Sequence, residues 1–230
     1  MINILGTKPD TILNGRKKFS IDYVDKKDLK NTRFLNIGCG FGWFELNILN
    51  YDIDGVIGIE ITEEDLSTAK ENVINKKVHF EISSAIDLPL DDNSFDTVVS
   101  WEVIEHIPKN KEMEMLREVN RVLKDNGILY LSTPYKSFFS TFLDPAWWLI
   151  GHKHYSKNSI SMLAERSNFV INKMEVKGGW YEILSWWNLY IAKWVFRREP
   201  FLEHAMTSKV NKEWSQDKGF TNIFLKCTKI

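Results

Sequence analysis

Residues 34–42 read Phe34-Leu35-Asn36-Ile37-Gly38-Cys39-Gly40-Phe41-Gly42, and this stretch decides the fold. A short apolar run ends in glycines at positions 38, 40 and 42, and an apolar-periodic segment, 43–49, begins at once. The pattern predicts strand, tight turn, helix. Glycine there permits left-handed backbone and lets a ligand approach the main chain with no Cβ in the way. The helix that follows directs its free N–H groups toward whatever occupies the turn.

Outward from the turn, strand-like segments recur. Residues 55–60 end on Glu60, 18 positions after Gly42, about where a doubly wound fold places the acid that accepts from ribose hydroxyls. Residues 78–82 lead into Ser84-Ala85-Ile86-Asp87-Leu88-Pro89. Residues 95–100 lead into Trp101-Glu102-Val103-Ile104-Glu105-His106-Ile107-Pro108, and 127–132 into Thr133-Pro134. Thr62 followed by three acids starts a helix to about residue 73. A second helix, 112–123, carries Met115, Leu116, Val119, Val122 and Leu123 on one face. Strand and helix alternate over 33–133, which predicts a parallel sheet with helices on both faces. Beyond Pro134, residues 138–150 are aromatic and irregular. A helix at 157–167, a strand at 169–176, a tryptophan-rich insertion at 180–218 and a last strand at 222–230 complete the chain. The lead-in 1–30 is polar and mixed and reads as no strong strand.

Composition bounds the function. The 230 residues suffice for one α/β domain with a buried core. Thirty basic and 31 acidic residues leave a net charge of −1, so no global field draws nucleic acid. Cys39 and Cys227 have neither disulfide nor metal-ligand spacing, which reads as a reduced, cytoplasmic protein. The N-terminal residues lack the pattern of a secretory signal, and no stretch of ~20 apolar residues is present to span a bilayer.

The order of motifs resembles the class I S-adenosylmethionine-dependent methyltransferases, specifically the type 11 group that includes the ubiquinone-pathway O-methyltransferases. The matching pieces are 35–42, 58–60, Asp87-Leu88-Pro89 with 92–96, 103–108, and Leu123-Lys124 with Gly127 before the fifth strand. The resemblance implies a doubly wound, Rossmann-like α/β sheet of seven strands, mostly parallel, in the order 3-2-1-4-5-7-6. It implies one methyltransferase domain over 1–230: a lead-in 1–30, a cofactor-binding half 31–135, and a substrate-side half 136–230 with insertions at 136–156 and 180–218. It implies S-adenosyl-L-methionine as cofactor, held by Asn36, Gly38, Cys39, Gly40, Gly42, Glu60, Ile61, Ser84, Ala85 and Trp101. The glycines would approach the methionine part, Glu60 the ribose hydroxyls, and Ser84 with the Ala85 N–H the adenine edge. Two positions depart from the family: it usually has an acid where this chain has Asn36, and Asp where it has Ser84. Both residues can still accept a hydrogen bond, but without charge. The bland readings are a solvated strand-end acid at Glu60, a turn serine at Ser84 and a core aromatic at Trp101.

Methyl transfer from a sulfonium is an in-line displacement that chiefly requires placement, and a general base helps only when the nucleophile must lose a proton. His106 could serve as that base or could simply hold its loop with Glu105. His152 and His154, at i, i+2, would face opposite ways on a strand and share no helix face, so no metal role is expected. His154, after the first aromatic insertion, is the expected base toward the acceptor. Segment 183–198 contains only Ser185, Asn188 and Lys193 as polar residues before Arg197-Arg198. Ser185, Asn188 and Ala192 make a narrow small-polar stripe on an otherwise apolar helix. Such a helix fits core packing, a lid over a greasy substrate, peripheral membrane contact or an oligomer face. The functions to be weighed are an O-methyltransferase for an apolar or lipid-linked acceptor, a methyltransferase for a soluble small molecule or sugar, and a silent cofactor-binding module.

Overall fold

The computed structural model describes residue 9 and residues 11–230. The strand at Phe34 is β1 (Arg33–Ile37). It pairs in parallel with β2 (Gly55–Glu60) on one side and with β4 (Phe95–Trp101) on the other. β3 (Val78–Ile82) extends the sheet beyond β2, and β5 (Leu123–Pro134) lies parallel to β4. β7 (Asn222–Lys229) runs antiparallel between β5 and β6 (Phe169–Lys177), giving the order β3-β2-β1-β4-β5-β7-β6. The order reverses between β1 and β4, so the ligand crevice of the sheet opens at the carboxyl ends of these two strands.

Alternation along each central strand builds two cores. Leu35, Ile37, Val98, Leu129 and Leu225 face one way, onto α4 (Glu112–Val122) and α7 (Lys157–Glu165). Phe34, Val99, Tyr130 and Phe224 face the other, against α1 (Gly15–Tyr23), α2 (Trp43–Ile48) and Trp214 of α9 (Glu203–Trp214). The side-chain period of two in a strand requires this split once helices cover both faces. α4 buries Met115, Leu116, Val119 and Val122 as its spacing predicts. α3 (Glu63–Asn72) covers β2 and β3.

The two insertions depart from expectation. The stretch read as irregular forms two short helices, α5 (Phe138–Leu143) and α6 (Pro145–Ile150). Ser137 caps the first through its side chain. Asp144 caps the second, Pro145 opens it, and left-handed Gly151 ends it. The lead-in is helical in α1, because α9 folds back upon it: the Gly15 N–H donates to Asn211 Oδ1 at 2.7 Å and Phe19 packs on Trp214. α8 (Trp180–Tyr190) continues into a π turn (Ile191–Val195).

Candidate active site

The glycine turn caps β1. The N–H groups of Gly38 and Cys39 both donate to the Ile59 carbonyl at 2.9 Å, tying the turn to the end of β2. All three glycines have positive φ, but they do different work. A Cβ on Gly38 would strike Val103, and one on Gly42 would strike Val73 of the α3 end and Phe80 of β3. Only at Gly40 would it meet open space. Gly38 and Gly42 therefore serve close packing of the turn, and Gly40 is the one of the three that opens. Glu60 stands across this opening: one carboxylate oxygen accepts from the Gly40 N–H at 3.0 Å and the other from the Ile61 N–H at 2.7 Å. Ser84 and Ala85 lie half-buried after β3, with Ser84 Oγ accepting from the Ile86 N–H, and the Ile61 side chain is exposed.

Three residues expected at the cofactor have buried side chains. Asn36 is buried beneath the turn, and its amide donates to Glu45 Oε1 at 2.7 Å. Burial pushes the Glu45 carboxyl up to about 7 against the pull of that hydrogen bond. Cys39 is fully buried against α3. Trp101 packs between Phe44 and Phe224, its indole N–H enclosed and without a partner. The open cradle at Gly40, the carboxylate across it and the half-buried rim at Ser84-Ala85 fit S-adenosylmethionine.

After Trp101 the chain turns sharply. Glu102 has φ of 59°, a left-handed conformation that a side chain rarely adopts and that often marks a functional site. Its carboxylate accepts from Arg16 at 2.9 Å, Ser132 at 2.6 Å and Asn222 at 2.8 Å. α1, β4, β5 and β7 thus meet on one acid at the ligand end of the sheet. Glu182 of α8 is buried nearby and accepts from Thr221 Oγ1 at 2.5 Å, and burial pushes its carboxyl up to about 8. A cavity of about 250 Å³ opens here, lined by Arg16, Glu182, Ser185, Asn188, Met206 and Val210. Sequence reading missed Arg16, Glu102 and Glu182. For Glu102 a signal existed, since an acid follows the buried strand directly.

A second cluster lies beside it. Glu105 is buried, with Oε2 accepting from Thr133 Oγ1 at 3.0 Å and Oε1 without a partner. Burial and the Glu102 charge hold its carboxyl well above the usual range. Asp144 Oδ2 meets His152 Nδ1 at 3.1 Å and His154 Nε2 at 3.0 Å. Although burial opposes ionisation, these histidine hydrogen bonds hold Asp144 below the carboxylate range. His152 Nε2 lies 3.4 Å from His106 Nε2. Burial, then the neighbouring His152, lowers His106. His154, expected as the acceptor-facing base, has a side chain only 2% exposed. Its Nδ1 lies among Tyr135 O, Ser140 Oγ and Thr141 Oγ1, which encloses the ring behind Asp144. The spacing argument against a shared histidine role fails because residues 151–154 form neither helix nor strand, and both rings turn to Asp144.

α5, α6 and α8 together expose a broad aromatic surface. Phe138, Phe142, Trp147 and Trp148 stand on the first two, and Trp187 on α8 with Trp194 beyond it. The indole of Trp187 donates to the Leu143 carbonyl, and Phe139 packs on Trp180, so the insertions form one face. A second cavity of about 350 Å³, lined by Lys136, Phe138, Phe142 and Trp147, lies within it. Among the described residues no helix is long and apolar enough to cross a membrane.

Known proteins resemble this chain in sequence and fold. A family model for a methyltransferase domain matches residues 35–131. The chain is 27% identical over 209 residues to norajmaline N-methyltransferase of Rauvolfia serpentina, covering 88% of this chain and 66% of that one. It is 30% identical over 125 residues to ubiquinone biosynthesis O-methyltransferase of Pelagibacter ubique, covering 54% and 50%. The chain thus spans from one half to two thirds of the length of these relatives. A solved structure of a putative sarcosine dimethylglycine methyltransferase from Galdieria sulphuraria superposes with a TM-score of 0.68 at 16% identity, over 92% of this chain and 84% of that one. Residues 35–131 thus match a methyltransferase domain, on a sheet with the fold of the class I S-adenosylmethionine-dependent methyltransferases.

Proposed function

We propose that this protein methylates an apolar or lipid-linked acceptor at oxygen, working as a peripheral protein at a membrane surface. The observation that carries the reading is the single aromatic face formed by α5, α6 and α8. An exposed apolar face of this breadth, set with tryptophans, suits a membrane interface or a greasy substrate. The small-polar stripe of α8 supports the same orientation. Ser185 and Asn188 line the inner cavity, and Ala192 is buried, so the aromatic residues are left on the outside. Arg197 and Arg198 are exposed at the end of this face, where headgroup phosphates would be met.

Bound S-adenosylmethionine supplies a methyl group already activated by its sulfonium. The chain then has to hold the acceptor in line and remove a hydroxyl proton. Arg16 and Glu182 give the inner cavity a polar end beside Glu102, suited to an acceptor's polar head. Proton removal is assigned to the edge of the histidine cluster that His106 exposes, with His154 as a positioning residue behind it. The O-methyl assignment rests on this chemistry, since a neutral amine would need no base before attack.

Co-sedimentation with anionic phosphatidylglycerol vesicles tests the reading. Wild-type protein should pellet with the vesicles. A Trp148→Ser/Trp194→Ser variant, altered only at exposed positions, should stay in the supernatant while binding S-adenosylmethionine normally. Wild-type protein that ignores vesicles and methylates only water-soluble acceptors would leave a soluble-substrate methyltransferase as the better account.

A further inference from the structure

Glu105, His106 and His152 turn three ligand-capable atoms toward one point. His152 Nε2 is 3.4 Å from His106 Nε2 and 3.7 Å from Glu105 Oε1, and the three atoms all lie within 4.8 Å of one another. Zinc bound at about 2.1 Å in a tetrahedral site sets its ligand atoms about 3.4 Å apart. The protonation pattern points the same way. Asp144 Oδ2 is a carboxylate oxygen with only lone pairs to offer, so the facing nitrogens, His152 Nδ1 and His154 Nε2, carry the protons. His152 Nε2 is then the ring nitrogen left to face its two neighbours. Glu105 Oε1 is buried and has no hydrogen-bond donor at all, although the other oxygen of that carboxylate is satisfied by Thr133. An enclosed carboxyl oxygen that faces imidazole nitrogens and has no other partner is a position that a bound cation would complete.

We propose that Glu105, His106 and His152 bind a divalent transition-metal ion of the zinc class, with one coordination position left open. Two imidazoles and one carboxylate are a donor set suited to such an ion, and three protein ligands with a free position are the arrangement of catalytic rather than structural zinc. Asp144 is the outer partner that fixes the His152 ring, and His154 steadies Asp144 from behind. The exposed edge of His106 leaves the open position accessible. An acceptor hydroxyl bound there would lose its proton more readily, which deepens the oxygen-methylation reading. Metal binding itself rests on the side-chain geometry alone. The ion would also tie the insertion before α7 to the loop after β4, whose Val103 packs on Gly38 of the cofactor turn.

The test is titration of chelator-stripped protein with Co²⁺, followed by visible absorption, with Zn²⁺ then added in competition. One equivalent of Co²⁺ should bind, with the intense bands of a four-coordinate nitrogen–oxygen site, and Zn²⁺ should bleach them. His106→Ala and His152→Ala should lose the bands, and His154→Gln should weaken binding about 10–100-fold. His79→Ala, altered at an exposed histidine paired with Glu81, should change nothing. Circular dichroism and S-adenosylmethionine titration of the same samples report folding and the cofactor site separately, so failure here does not read as failure of the methyltransferase assignment. Should the alanine variants unfold, Glu105→Gln replaces them, because it keeps the size and an acceptor for Thr133. Absence of stoichiometric Co²⁺ binding by folded wild-type protein, or unchanged affinity in the folded variants, overturns the proposal.

Discussion

Glu182 shows how one buried side chain sets a pH dependence. Burial raises its carboxyl from an ordinary value of 4.5 to about 8, and Arg16, which would oppose this, is already held by Glu102. The folded protein therefore keeps a proton that the unfolded chain releases. Stability falls as pH rises from about 4.5 toward 8 and is flat above, because the unfolded state binds fewer protons across that window. Glu182→Gln fixes the neutral form and can still accept from Thr221. Its melting temperature should exceed that of the wild type near pH 8.5 and match it near pH 5, as read by thermal melts across pH, and the same difference at both pH values would contradict the assignment. Other roles at this scale were only partly legible. The glycine triplet is plain in the sequence, but which of its members opens onto a ligand depends on Val103, Val73 and Phe80, and these arrive from other elements. Asn36 and Trp101 read as cofactor contacts because they flank the ligand end of their strands. Alternation turns both inward.

At the scale of elements, local signals carried the central strands and α3, α4 and α7, where period and caps agree. They also sufficed for α5 and α6, since Ser137, Asp144-Pro145 and Gly151 are ordinary helix punctuation, but the aromatic density between them obscured it. The histidine cluster was not legible, because His106 and His152 stand 46 positions apart and only the packing of the insertion on the β4 loop joins them. The orientation of α8 and its π turn is open to a direct check. Ala192 is fully enclosed whereas its neighbour Ile191 is exposed. Ala192→Leu should overpack the inner face and cost about 1–3 kcal/mol, while Ile191→Ser should change stability by about 0.5 kcal/mol or less in urea unfolding. Equal losses would mean that the helix presents a different face.

Across the whole molecule, one crevice gathers the parts. The strand order reverses between β1 and β4, and there the glycine turn, the Glu102 junction and the histidine cluster meet, with the aromatic insertions alongside. Sheet order and cofactor cradle follow from motifs along the chain, whereas the proposed acceptor side is assembled from α1, α8, α9 and both insertions and exists only once they pack. The central claim is that the opening at Gly40, faced by Glu60, is where S-adenosylmethionine binds. Gly151 offers a matched control: it too has positive φ and open space where a Cβ would stand, but it ends α6 rather than lining the turn. Titration calorimetry with S-adenosylmethionine should give one site in the wild type and in Gly151→Leu and no measurable heat in Gly40→Leu. Equal binding by Gly40→Leu, or equal loss in both variants, would contradict the account.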